Sequence, residues 1–97
     1  MGMQKGAKWT PYRLKKAQEF SASRTATSAK RLEELSRSKY SIVRMLTAVN
    51  DSTQISVVKN LLRDPKERVR ACARAKLLSL ARGIQQHENR NLSYASP

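Results

Sequence analysis

From residue 53 to residue 82 the apolar positions fall three and four residues apart. Ile55, Val58, Leu61 and Leu62 form one such series, and Val69, Cys72, Ala73, Leu77 and Leu80 form the next. Each series winds onto one face of an α-helix. The punctuation between them agrees. The stretch NDSTQ (50–54) is a loop that offers Ser52 or Thr53 as an N-cap. Asp64 and Pro65 provide a cap and a first-turn proline for the following helix. Arg82 and Gly83 provide a C-terminal cation and a stop. Thr10-Pro11 repeats the start signal upstream. The pattern predicts five helices, at about 11–22, 27–37, 40–50, 53–63 and 65–82. It also predicts a basic arm over 1–10, a helical domain over 11–83 and a flexible, aperiodic tail over 84–97. Links this short make neighbouring helices antiparallel hairpins.

The same pattern repeats. Sliding Leu35 onto Leu61 lays LSRSKYSIVRMLTAV (35–49) over LLRDPKERVRACARA (61–75), and Arg37 then matches Arg63, Val43 matches Val69 and Arg44 matches Arg70. Upstream, Thr27 matches Thr53 and Leu32 matches Val58. A fainter copy precedes these, in which Phe20 matches Leu46 and Ala22 matches Ala48. The expected fold is all-α, a short right-handed α-solenoid of stacked hairpins.

The residues carry a family resemblance. DPKERVRACARAKLLSL (64–80) resembles the second helix of a HEAT repeat. VRMLTAVNDSTQISVVKNLLRDPKERVR (43–70) resembles the variant leucine-rich repeat, with its recurring Val-Arg, loop Thr and turn Asp. The likeness spans about residues 12–80. It departs from the pattern at Ala17-Gln18, where Val-Arg is expected, and at Gln54 and Ser28, where a proline usually follows the loop Thr. The resemblance implies an α-solenoid that binds rather than catalyses. Some HEAT-like relatives, the alkylpurine DNA glycosylases, cradle DNA on a basic concave face; others bind only proteins. It also implies that the turn Asp64 pairs with Arg70, leaving Arg44 free because Ser38 stands where Asp64 would.

Charge changes the picture most. Twenty Lys and Arg oppose seven Asp and Glu, a net charge of +13. Self-repulsion of that size works against compaction, so it points to a polyanionic partner: nucleic acid first, an anionic membrane surface second, an acidic protein third. Aromatic residues are few, and an aliphatic, alanine-rich core suits helices better than a sandwich of sheets. The lone Cys72 sits in a helical pattern and makes neither an internal disulfide nor a zinc cluster. It fits a reducing compartment, cytoplasmic or nucleoid-associated. No run reaches the roughly 18 apolar residues of a membrane span. The basic, Ser/Thr-rich segment 1–30 also bears a loose likeness to an organellar presequence.

No enzymatic constellation is legible, and neither a metal nor another cofactor is expected. His87 is the only histidine, Glu33 and Glu34 are adjacent rather than facing, and Gly2, Gly6 and Gly83 are isolated. The cations are more informative. Lys66, Arg70 and Arg74 recur every four positions as one ridge, with Arg68 beside it. The repeat sets Arg44 next to Arg70 and Arg37 next to Arg63. Such a ladder suits a phosphate backbone. In the arm, Lys5, Lys8, Arg13, Lys15 and Lys16 interleave with Trp9 and Tyr12, which suits phosphates and stacking; the two aromatics serve equally as a cap on the open end of a stack. The expected activity is non-enzymatic binding of nucleic acid, DNA before RNA, through its backbone. The alternative is an adaptor, or a structural subunit of a nucleoprotein or viral assembly, with an acidic protein as partner.

Overall fold

The computed structural model describes residues 10–95, and side chains within that span for residues 10–83. The described chain is all-helical, with five helices and no strand: α1 (Pro11–Ser23), α2 (Ala29–Leu35), α3 (Ser41–Val49), α4 (Ile55–Leu61) and α5 (Glu67–Ala95). Helices α2, α3 and α4 fall inside their predicted spans, and α1 starts where predicted and ends at Ser23 rather than Ala22. The basic arm, with Lys5 and Lys8, lies outside the described residues apart from Thr10.

Local chemistry explains most boundaries. Thr10 caps α1, its hydroxyl accepting from the Arg13 amide at 3.2 Å, and Pro11 takes the first helical position. Ser28 caps α2 in the same way through Arg31. The expected caps of α4 are overturned. Gln54 holds the N-cap position without a side-chain bond. The Thr53 hydroxyl instead donates to the Thr47 carbonyl, and the Ser52 hydroxyl donates to that of Thr25. These side chains close the loop onto the helix before it and onto an earlier loop, which is a tertiary use that local capping rules do not anticipate. Helix α5 begins at Glu67, two residues after Pro65.

The largest correction concerns the far end. Gly83 does not stop α5, which runs on to Ala95 through the span expected to be an aperiodic tail. Gly83 lacks the positive φ of a helix terminator. A helical glycine costs only about 1 kcal/mol relative to alanine, and no proline follows before Pro97.

Every helix touches the next one, and α1 touches α3 as α3 touches α5. The core divides into two clusters. Ala22, Leu32, Leu35 and Val43 form the first. Ala48, Val58, Leu61, Val69 and Ala73 form the second. The first four members of the second cluster are the members of the first moved along by one repeat. Side-chain bonds move with them. Thr27 donates to Ser21 as Thr53 does to Thr47. Arg44 donates to the Ser38 carbonyl as Arg70 does to that of Asp64, at 2.7 and 2.6 Å. The repeat in the sequence is therefore also a repeat of burial and hydrogen bonding.

Candidate nucleic-acid interface

The turn before α5 carries the most organised charge. Asp64 is buried, and both its oxygens are used. Oδ1 accepts from Arg44 Nε at 2.7 Å, while Oδ2 accepts from Arg44 Nη2 at 3.2 Å and from the Lys66 amide at 2.9 Å. Burial raises the carboxyl pKa. The hydrogen bonds from Arg44 and the Lys66 amide, with the charges of Arg44 and Arg70, outweigh it and hold the group below the usual carboxylate range. The third bond of the Arg44 guanidinium goes to the Ser38 carbonyl.

This reverses an expectation. Arg44 is not free; it forms the ion pair with Asp64, and its side chain is 12% exposed. Arg70 reaches the Asp64 carbonyl rather than the carboxylate. The repeat explains why. An arginine at this position binds the carbonyl of its own turn and then reaches forward, so the Asp64 carboxylate belongs to the arginine of the preceding unit. The two guanidiniums do meet at one turn, but Arg44 uses all three of its nitrogens within the protein there.

In front of this turn lies a cavity of about 410 Å³ lined by Ser41, Lys66, Glu67 and Arg68. Ser41 and Glu67 are one repeat apart, and each is the first residue of its helix. The amino ends of α3 and α5 therefore open side by side, and their dipoles add to the two cations, offset in part by the Glu67 carboxylate in the first turn of α5. Lys66 and Arg68 are exposed, and among the described residues neither forms a salt bridge. Ser41 is absent from the residues that charge and spacing single out; its register with Glu67 is the one signal that points to it.

The remaining cations sort by their neighbours. Arg37 pairs with Glu33 at 3.6 Å, whereas Arg63, its equivalent, has Lys59 in the corresponding place. Lys16 pairs with Glu19 at 3.5 Å and lies 5.7 Å from the centre of the Tyr12 ring. Arg13 is exposed and Lys15 half-buried on α1. Arg74 lines a separate apolar cleft with Leu62, Leu77 and Leu78. The expected ridge of Lys66, Arg70 and Arg74 thus meets three surroundings: an open polar cavity, a turn carbonyl and an apolar cleft.

Two contacts between units have no forerunner in the sequence pattern. Asn50 is buried and donates to the carbonyls of Ala22 and Arg24 at 2.7 and 2.9 Å. Lys76, in register with Asn50, reaches back to Asp51. The Lys76 hydrogen bond and charge hold the Asp51 carboxyl below the usual range.

Among the described residues no group of three or more His, Cys, Asp or Glu side chains is placed to hold a metal, and no helix is long and apolar enough to cross a membrane. Compared with known proteins, the chain matches no family model, no curated protein and no solved structure.

Proposed function

We propose that this chain is a small, non-enzymatic, helical-repeat protein that binds nucleic acid through its phosphate backbone, with duplex DNA ahead of RNA. The observation that carries the reading is the pairing of Lys66 and Arg68 with two adjacent helix amino ends around one open cavity. Such a setting favours an anionic oxygen ligand. The net charge of +13 supports it, since cations so far outnumber acids that internal pairing cannot absorb them. In this reading the units stack as a right-handed α-solenoid of the HEAT-like kind, supported by the shared period of core and hydrogen bonds. Lys66, Arg68 and Arg63 form the central contacts, with Arg13, Lys15, Lys16 and the arm residues Lys5 and Lys8 extending them. Arg37 contributes at the edge. Arg44 serves the scaffold instead.

The test is a salt titration of binding to duplex DNA, single strands and RNA. Neutralising about six phosphates gives a slope of log affinity against log salt of roughly −5. Lys66→Ala and Arg68→Ala should each flatten it by about one unit on every sequence, without changing thermal stability. Absence of binding to any of the three near physiological salt overturns the reading.

A further inference from the structure

One contact recurs along the stack and then breaks off. Gln18 of α1 accepts a hydrogen bond from the Ser38 hydroxyl in the turn before α3. One repeat on, Arg44 of α3 holds the Asp64 carboxylate in the turn before α5. One repeat further stands Arg70 of α5. It makes the inner half of the Arg44 arrangement, donating Nη1 to the Asp64 carbonyl. The outer half is missing. Among the described residues no carboxylate forms a salt bridge with Arg70. The residue in register with Ser38 and Asp64 is Arg90, and α5 continues there as helix instead of turning back.

The apolar surface breaks off at the same place. Ala22 is fully buried, and so is its equivalent Ala48 in the second cluster beside Val58 and Val69. Their next equivalent, Arg74, is exposed. It borders a cleft of about 290 Å³ completed by Leu62, Leu77 and Leu78, and Leu78 is 56% exposed. The face that receives a following unit twice within the molecule is thus presented a third time, with no further unit upon it among the described residues.

We propose that this end face docks an acidic amphipathic helix of a partner protein, which places aliphatic side chains in the Leu62–Leu77–Leu78 cleft and a carboxylate on Arg70. The Arg44–Asp64 pair is the internal template for that contact. The cations Arg74, which borders the cleft, and Arg70, one turn before it on α5, select an acidic occupant. They disfavour the chain's own arm, which brings Lys5 and Lys8, and a second copy, which brings another +13. A helix fits because helices cover the equivalent faces inside the molecule. This site is separate from the cavity at Lys66 and Arg68.

The experiment titrates the full chain with a fluorescent peptide built from Leu, Glu and Ala with its leucines on one face. A length of about 20 residues lets such a peptide form a helix on its own. Two controls match it: the same peptide with Gln for every Glu, and a Glu/Ala peptide of equal charge without leucine. Saturable binding of the first, at least about tenfold tighter than either control, is expected. Leu78→Asp, at an exposed position outside both core clusters, should weaken it about tenfold. Arg70→Gln should weaken it while leaving the response to the glutamine peptide unchanged. Equal binding of all three peptides, no binding of the first, or indifference to Leu78→Asp would each overturn the proposal. So would self-association of the protein alone that Leu78→Asp abolishes, since a second copy would then be the occupant. Duplex DNA binding should survive Leu78→Asp, so loss of the nucleic-acid reading leaves this one standing, and the reverse.

Discussion

The two internal junctions use the same positions with different chemistry. At the first, Gln18 and Ser38 meet as neutral groups, and the Ser38 oxygen also accepts the Tyr40 amide at 3.2 Å. At the second, Arg44 and Asp64 meet as ions, and Asp64 also accepts the Lys66 amide. The positions are shared, so the repeat fixes where a bridge goes and leaves open what it is made of. The consequences for stability differ sharply. A neutral hydrogen bond contributes about 1 kcal/mol net. A buried ion pair adds little over an apolar equivalent, yet breaking it from one side strands the other charge at a cost of about 3 kcal/mol or more. Arg44→Ala should therefore lower the melting temperature by about 15 °C for a domain of this size. Gln18→Ala, at the equivalent place, should lower it by about 5 °C. Similar losses from the two would mean that Asp64 is not confined as the distances indicate.

Acid sharpens the contrast. The folded-state pKa of Asp64 lies below its unfolded value, so the unfolded chain binds the proton more readily. This carboxylate's contribution is fully present above the unfolded pKa, near 4, and is lost as pH falls through the lower folded value. The wild-type protein should lose stability on acidification below about pH 4. Asp64→Asn should be less stable at pH 7 but should show a flatter profile across that acid range. The first junction, having no titratable group in its bridge, predicts no such change for Ser38→Ala. Urea midpoints measured from pH 7 down to pH 2.5 test both, and parallel profiles for wild type and Asp64→Asn would exclude Asp64 as the source of the acid sensitivity.

What can be read from the chain follows the range of the interactions. Helix positions rest on periodicity and on near neighbours along the chain, so Thr10-Pro11 and the apolar stripes lead to the observed elements. The repeat register also holds, because Leu32, Leu35 and Val43 are buried for the same reason as Val58, Leu61 and Val69. The site is less legible. Within a unit, Asp64 looks like the partner of Arg70, in the same turn; in the fold its carboxylate belongs to Arg44, on the helix of the preceding unit. Side chains that join units, such as Asn50, Ser52 and Lys76, carry no local signature. At Gly83 a genuine stop signal is present, but a glycine ends a helix only where the backbone turns left-handed, and here it does not.

The finest distinction between equivalent positions lies at Arg37 and Arg63, and the expected signs are opposite. Arg37 follows Glu33 by four residues and approaches it to 3.6 Å, with both side chains more than half exposed. Arg37 lies two residues past the end of α2, so the attraction is that of an exposed ion pair, about 0.3 kcal/mol, and solvent screening keeps it at that level. Arg63 follows Lys59 by the same four residues, so the corresponding pair is repulsive by a similar amount. Arg37→Ala should cost about 0.3 kcal/mol, and Arg63→Ala should gain about as much. Both effects should shrink when salt is raised to about 1 M, where the Debye length falls to about 3 Å. Chemical denaturation of both variants at low and high salt resolves the difference between them better than either value alone. Two losses of equal size would mean that Arg63 holds a packing role its exposure does not suggest. If Arg63 also contacts phosphate, its variant should be the more stable of the two and the weaker on DNA, a divergence that an arginine serving only the scaffold would not produce.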